Sequence, residues 1–229
     1  MDPLDNAVWH TLLGDLSHLA EHAPADAPLA TRFDPAVSVF GAVGDEPDDE
    51  SWRAMADLVG PGGTTVVFRS DPVEPRGWST VARLDGWQML GDEVDGDGLD
   101  GLVRLTPADV PDMLALIART EPGPFEARTI ETGLYLGVRH EGRLVAMAGQ
   151  RLRCAGWVEI SAVCTDLDHR GQGLARRVVA AVVGAIRDEG ARPFLQVAVG
   201  NDPALALYES MGFETSRPVS GLVLEAPVP

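Results

Sequence analysis

Residues 160–175, ISAVCTDLDHRGQGLA, read as an apolar strand running straight into an Arg-x-x-Gly-x-Ala turn that opens a helix. Gly171 and Gly173 remove side chains, so that backbone N–H groups converge on an anion. The first turn of the following helix adds unpaired donors and the positive end of its dipole. A phosphate-bearing cofactor is the natural occupant of such a turn. Glycine pairs before helices are common, so the flanks decide the reading. Leu174, Val178, Val182 and Ile186 recur every fourth position with Ala175, Val179 and Val183 beside them, which predicts an amphipathic helix over 172–189. Gly190 sits where that helix should stop. The run PFLQVAV at 193–199 predicts a short strand, and Asp202 and Pro203 suit the cap and first position of a brief helix over 203–211, ending at Gly212.

Strand, RGQGLA turn, long helix, strand and then NDPALALYESMGF (201–213) resemble the cofactor-binding half of GNAT-type N-acetyltransferases, especially the C-terminal half of glycine N-acyltransferase-like proteins. The resemblance covers roughly Gly101 to Pro229. It implies an α/β fold with a mixed, mostly antiparallel central sheet flanked by helices. It implies acetyl-CoA or another acyl-CoA as cosubstrate, no metal, and direct transfer of the acyl group to a primary amine on a small molecule or a protein.

Site residues follow from the same resemblance. The pantetheine arm would run along Val163, Cys164 and Thr165 like an added strand, with the Val163 N–H polarising the thioester carbonyl. Arg170, Gly171, Gln172, Gly173, Leu174 and Ala175 would hold the pyrophosphate, with Arg170 or Arg176 adding charge. Asn201 would either hydrogen-bond the arm or only cap the last helix together with Asp202. Tyr208, as a phenol near its ordinary pKa, would protonate the leaving thiolate, unless it merely packs against Leu205. Glu159 is an ionisable residue inside the apolar run Trp157–Ser161, where burying a carboxylate is costly. It reads either as a water-bridged base or as the partner of Arg151 or Arg153. Glu121 and His140 are weaker substitutes for the base.

At 229 residues and 45% apolar content the chain can bury a substantial core, as one large domain or two small ones. It has no cationic leader and no apolar run long enough for a bilayer, so a cytoplasmic location is expected. Cys154 and Cys164 make neither a disulfide framework nor a zinc site and read as buried structural residues. There is no lysine. Residues 1–100 carry 5 arginines against 20 acids, a net of −15, while residues 101–229 carry 13 against 15, a net of −2. So acidic a chain is expected to bind neither nucleic acid nor an anionic membrane. The nearly neutral half is the one that holds the phosphate turn.

The division falls at an acidic, glycine-rich stretch, DEVDGDGLDG at 92–101, read as a flexible connector. Residues 1–95 then form an accessory α/β half, which could be a degenerate GNAT-like repeat, and residues 96–229 the acyl-CoA-binding domain. The first half is expected to open with a helix carrying Leu4, Val8, Leu12, Leu16 and Leu19. Apolar runs at 37–43 and 64–68, a helix at 51–59 and a hairpin through 78–90 follow. It lacks the Arg-x-x-Gly-x-Ala turn, so one cofactor site is expected. A calcium loop in the connector fails because Arg104 would stand where a bidentate Glu must sit. The His18–His22 stretch fits H-x-x-E-H, but a third zinc ligand is not evident, and a polar helix end is the simpler reading.

In the C-terminal half, Leu102–Leu105 predicts a strand and 107–119 a helix with Thr106 and Asp109 as a capping box. An ordered loop at 121–129 and strands at 134–138, 144–152 and 157–165 follow. The rival to an enzyme is a non-catalytic acyl-CoA-binding regulatory or interaction protein whose acidic half binds a partner. A homodimer is open. Gly173→Glu is expected to abolish acetyl-CoA binding by calorimetry, because it fills the cradle with bulk and negative charge; undiminished affinity would remove the cradle from the account.

Overall fold

The computed structural model describes residues 2–24 and 26–228. Along the chain run α1 (Ala7–Leu13), β1 (Ala20–Ala23), β2 (Ala30–Phe33), β3 (Phe40–Val43), α2 (Asp49–Val59), β4 (Thr64–Arg69) and β5 (Ser79–Leu90). Then come β6 (Val103–Arg104), α3 (Val110–Thr120), β7 (Tyr135–His140), β8 (Arg143–Cys154) and β9 (Trp157–Thr165). The chain ends with α4 (Leu174–Asp188), β10 (Arg192–Ala198), α5 (Asp202–Met211) and β11 (Glu214–Glu225). It packs as two compact units, one of Met1–Trp87, Arg153–Ala155 and Arg217–Pro229, the other of Gln88–Leu152 and Gly156–Ser216. Among the described residues, no helix is long and apolar enough to cross a membrane.

In the first unit the strand order is β1-β2-β3-β4-β11-β5. β1, β2 and β3 pair antiparallel, β3 pairs parallel with β4 across α2, and β4 pairs antiparallel with β11. Ala30, Val43, Met55, Val67, Leu222 and Leu224 form the core beneath α2. In the second unit the order is β10-β9-β8-β7-β6, with the end of β5 beside β10. β6, β7 and β8 run antiparallel, and β9 pairs parallel with β10 across α4. The α4 stripe expected from the sequence, Val178, Val182 and Ile186 with Val179 and Val183, is fully buried in this unit's main core. Each unit therefore carries an antiparallel set of strands that ends in a parallel strand-helix-strand crossover.

Four expectations need correction. The opening helix stops at Leu13, with Gly14 as its C-cap, instead of running to Leu19. Leu16 and Leu19 are buried all the same, from a turn and a short 3-10 segment, because burial at fourfold spacing does not require a helix. The H-x-x-E-H reading loses its helix: Glu21 and His22 lie on β1, where Glu21 pairs with Arg32 and His22 Nδ1 lies 2.9 Å from Thr31 Oγ1. The hairpin at 78–90 is one continuous strand. Asp85, which with Gly86 looks like a turn, accepts hydrogen bonds from Arg83 and Ser220, so tertiary pairing overrides the local signal.

The acidic connector is not slack. Val94 is buried, Gly91 N–H donates to Pro193 O, and Asp97 N–H donates to Ala180 O on α4 at 3.0 Å. Its glycine is required by contact. A Cβ on Gly96 would lie 2.7 Å from the Cα of Gly184, and a Cβ on Gly184 would lie 2.6 Å from Asp97 O. Gly184→Ala in a helix interior would ordinarily stabilise by about 1 kcal/mol. Here overpacking against Asp97 is expected to reverse the sign and cost about 1–3 kcal/mol. Thermal denaturation reads the outcome directly, and a raised midpoint would mean that the connector does not seat on α4.

Candidate active site

β9 and β10 pair in register only from Trp157 and Arg192 to Ile160 and Leu195, although β9 continues to Thr165 and β10 to Ala198. Just past the last pair, Ala162 takes φ +52°, a left-handed conformation that a residue with a Cβ adopts only under constraint. A positive φ inside a strand is the geometry of a bulge, which interrupts pairing and re-aims the neighbouring N–H and C=O groups. Val163, Cys164 and Thr165 are therefore backbone that β10 does not use. Thr165 Oγ1 is buried without a hydrogen-bond partner among the described residues.

β9 leads through a short 3-10 segment, Leu167–His169, into the turn at Arg170–Gly173. Gly171 and Gly173 both sit at φ +75°, and a Cβ on either would meet nothing within 4 Å, so the glycines are there for backbone shape and open space. Helix α4 starts at Leu174 with no side-chain cap, and its first backbone bond runs from Arg177 N–H to Gly173 O. The N–H groups before Arg177 thus face outward at the positive end of a 15-residue helix. Gln172 and Arg170 are exposed beside them; Arg170 Nε is 3.5 Å from Thr165 O. An open hollow of about 450 Å³ adjoins the turn, lined by Gly173, Arg176 and Arg177 of α4, Ser210 and Met211 at the end of α5, and the connector at 94–97. Arg176 Nη2 donates to Ser210 Oγ across it.

The corresponding crossover helix of the first unit is built the opposite way. Asp48 caps α2 with a full capping box, and Asp49 and Glu50 fill its first turn. Its N-terminal donors are occupied and its surroundings are anionic, so it offers no phosphate site.

Tyr208 lies on α5, 7% exposed, with its ring edge-on to Phe213 at 5.8 Å. Burial, and then the neighbouring Cys164 thiol, push its pKa up to about 12. This corrects the expectation of a phenol near its ordinary pKa. The influence of Cys164 brings Tyr208 within electrostatic reach of the freed end of β9. Cys164 is itself buried, and burial pushes its thiol up to about 11, so it is a poor nucleophile at neutral pH. Asn201, not Asp202, is the N-cap of α5, accepting from Ala204 N–H, and the residue is exposed.

Glu159 is fully buried, and both its oxygens are taken by Arg151, with Nη2 at 2.6 Å and Nε at 2.8 Å. The water-bridged base is therefore corrected to the ion pair: a carboxylate clamped in bidentate fashion with no exposed surface is committed to holding its partner. Sequence reasoning missed Asp166 altogether. Its side chain is 4% exposed and accepts from Arg119 Nε at 2.9 Å, Arg143 Nη2 at 2.8 Å and the Asp168 N–H at 3.3 Å. Burial opposes ionisation, but the Asp168 N–H and the two guanidiniums outweigh it and hold the carboxyl below its ordinary range. The only sequence signal was an Asp two residues ahead of a second Asp, the spacing of a local side-chain cap.

Residues 135–219 match the family described as FR47-like protein. Over 83 residues, 35% of this chain, the sequence is 37% identical to N-alpha-acetyltransferase RimI of Mycobacterium tuberculosis. That match takes in 51% of RimI, so the chain spans about half the length of the curated relative it matches. A solved structure of an acetyltransferase described as of the GNAT family, from Novosphingobium aromaticivorans DSM 12444, is similar over 100% of both chains, with 34% identity and a TM-score of 0.89. A GCN5-related N-acetyltransferase from Kribbella flavida shares the fold over 100% of this chain and 98% of its own, at 16% identity and a TM-score of 0.65.

Tyr135 and Tyr208 are the chain's two tyrosines, and burial pushes both up to about 12. A phenol raised in the folded state contributes stability that is complete below its unfolded value near 10 and is lost as pH rises through 12. Ultraviolet titration of the native chain is expected to show almost no tyrosinate below about pH 11, while the unfolded chain ionises near pH 10. Coincident curves would mean that Tyr208 is open to water.

Proposed function

Because the chain belongs to the GNAT family of acetyltransferases, we propose that it moves an acetyl or other acyl group from a CoA thioester to a primary amine by direct transfer. The observation that carries the reading is the continuity of three features in one unit. β9 is freed from β10 beyond Ile160, its end leads into an uncapped helix terminus at Gly171–Ala175, and Tyr208 lies within electrostatic reach of Cys164. The catalytic unit of the proposal lies within residues 96–229.

The residues present fit an acyl-CoA. Gly171 and Gly173 leave room for phosphate oxygens, the first-turn N–H groups of α4 supply donors, and Arg170 supplies charge. Val163 and Thr165 offer backbone groups to an extended arm, and the Thr165 hydroxyl lacks a partner among the described residues. When bound, the thioester supplies an activated acyl group. Val163 N–H, re-aimed by the bulge at Ala162, stabilises the oxygen that gains charge during attack. Tyr208 keeps its proton across the neutral range and delivers it to sulfur as the thiolate leaves, and the proton shed by the newly acylated nitrogen returns to the Tyr208 oxygen as the amide forms. Glu159, held by Arg151, acts as a positioning residue for the strand. The RimI relative is an N-alpha-acetyltransferase, which supports an amine acceptor, either a small molecule or a protein.

The test is release of free CoA thiol from acetyl-CoA across a panel of amines, for wild type and Tyr208→Phe, with CoA binding measured by calorimetry. Amine-dependent release is expected to fall by about 10²-fold or more in the variant while CoA affinity holds. Tight binding without release for any amine would overturn the enzyme in favour of a binding protein. Equal rates in both chains would remove Tyr208 from the chemistry.

A further inference from the structure

The strands that part beyond Ile160 and Leu195 leave a fork whose two faces differ. Val158 and Ile160 of β9, with Leu195 and Val197 of β10, pack into the core beneath α4. By strand alternation Glu159, Ser161, Phe194 and Gln196 take the other face, where Trp157 and Phe194 meet edge to face. Ser161 and Gln196 are the first residues past the last registered pair, one on each strand. At Ala162 the alternation slips by one: Ala162 packs with the α3 core and Val163 returns to the α4 core, as a bulge requires. Two small residues, Ser161 and Ala162, therefore share the α3 side of the fork, with Gln196 on the strand opposite. The Ser161 and Gln196 side chains are half-buried, and neither has a hydrogen-bond partner among the described residues.

The α4 side of the fork offers an amine nothing polar but Tyr208. Ile160, Val163 and Leu195 fill the rest of it, and the proposed acid Tyr208 draws the leaving sulfur to that side. A nucleophile then reaches the thioester carbon from the α3 side, past Ser161 and Gln196.

The groups around that approach do not take a proton from an ammonium at neutral pH. Glu159, two residues before Ser161 on the same face, has both oxygens on Arg151, and Asp166 beyond the bulge is held by Arg119 and Arg143. Burial pushes Cys164 up to about 11 and Tyr208 and Tyr135 up to about 12, so each keeps its proton. On the loop after α3, Glu131 is paired with Arg128, Glu121 is exposed and Glu126 half-buried.

We propose that Ser161 and Gln196 form an uncharged seat for the acceptor, and that the seat takes amines already neutral in solution, the α-amine of a peptide ahead of a lysine side chain. This rests on the acyl-transfer reading. The ammonium proton goes to water before binding. In the seat two N–H groups donate to Ser161 Oγ and Gln196 Oε1, and the nitrogen lone pair forms the C–N bond as the C–S bond breaks. Sulfur takes the Tyr208 proton, and a proton from nitrogen replaces it. An α-amine gives up its proton at about pH 8 and a lysine amine at about pH 10.4, so at about pH 7 their neutral fractions differ by roughly 10²-fold.

Release of CoA thiol by the full chain tests this against peptides with a free α-amine, peptides whose one free amine is a lysine side chain, and a series of α-amines of graded pKa. Below the acceptor's pKa, kcat/KM for the amine is expected to rise about tenfold per pH unit, and the levelling point should move with the acceptor along the series. At about pH 7 the α-amine is expected to be preferred by roughly 10²-fold. Ser161→Ala and Gln196→Leu are each expected to raise the amine KM about tenfold, the effect of one lost hydrogen bond, while CoA affinity by calorimetry stays within about twofold and shows the variants folded. A levelling point that stays fixed whatever the acceptor marks a base in the protein and overturns the seat alone. So does a preferred lysine peptide, or an amine KM unchanged in both variants. No release with any amine overturns the acyl-transfer reading and the seat together.

Discussion

Helix α4 begins without a cap, and the second unit is organised so that it can. A missing side-chain cap costs about 1 kcal/mol, and the outward N–H groups need a partner from solvent or a ligand. The opposite end of the argument is apolar. Val178, Val179, Val182, Val183 and Ile186 are wholly buried between α4 and the sheet, and each such side chain stabilises by about 1.5–3 kcal/mol. Burial along the helix therefore exceeds the missing cap severalfold. The helix is held by its flank, and its N-terminus stays available to an anion. Gly96 and Gly184 then let the connector lie directly on the helix backbone, forming one wall of the hollow beside the turn.

The two parallel crossovers show how one layout takes two uses. Around α2 the chain spends Asp48, Asp49 and Glu50 on the helix terminus, which suits the dipole and closes the end to phosphate. Around α4 the same place holds two left-handed glycines, no capping side chain, and Arg176 and Arg177 in the first turn. Stability is served in the first case and ligand access in the second. The uneven charge of the chain, −15 against −2, runs the same way: the capped, anionic terminus of α2 lies in the acidic stretch and the open terminus of α4 in the nearly neutral one.

Legibility in the sequence followed locality. The turn at 170–175, α4, β10, α5 and the Thr106–Asp109 capping box were readable because each is fixed by residues within a few positions of itself. The failures came where a distant partner decides. Asp85-Gly86 has the chemistry of a hairpin turn, yet Ser220, 135 residues away, holds Asp85 in a straight strand. The glycines of 92–101 looked like slack, and Gly96 instead serves a close approach to a helix whose position no local pattern announces. Glu159 was visible as an anomaly in an apolar run, but the choice between Arg151, Arg153 and a water depended on the fold. The bulge at Ala162 left no mark at all, since alanine has no preference for positive φ.

The stretch from Glu159 to Asp166 joins these points. Its middle is strained at Ala162, and on one side it has lost the pairing that β10 gives its first half. Unsupported backbone of that kind would fray, and a site built on it would be imprecise. Both ends are instead pinned by buried charge, Glu159 by Arg151 before the bulge and Asp166 by Arg119 and Arg143 after it. Buried ion pairs are an inefficient source of stability, because desolvation consumes most of the attraction. They do fix geometry sharply, since a bidentate guanidinium tolerates little displacement. Arg119 comes from α3 and Arg143 from β8, so the turn that leads into Gly171 and Gly173 is referred to two rigid elements. Charge placed at the two ends of the segment keeps its free backbone in one conformation while leaving the donors between them unused by the protein.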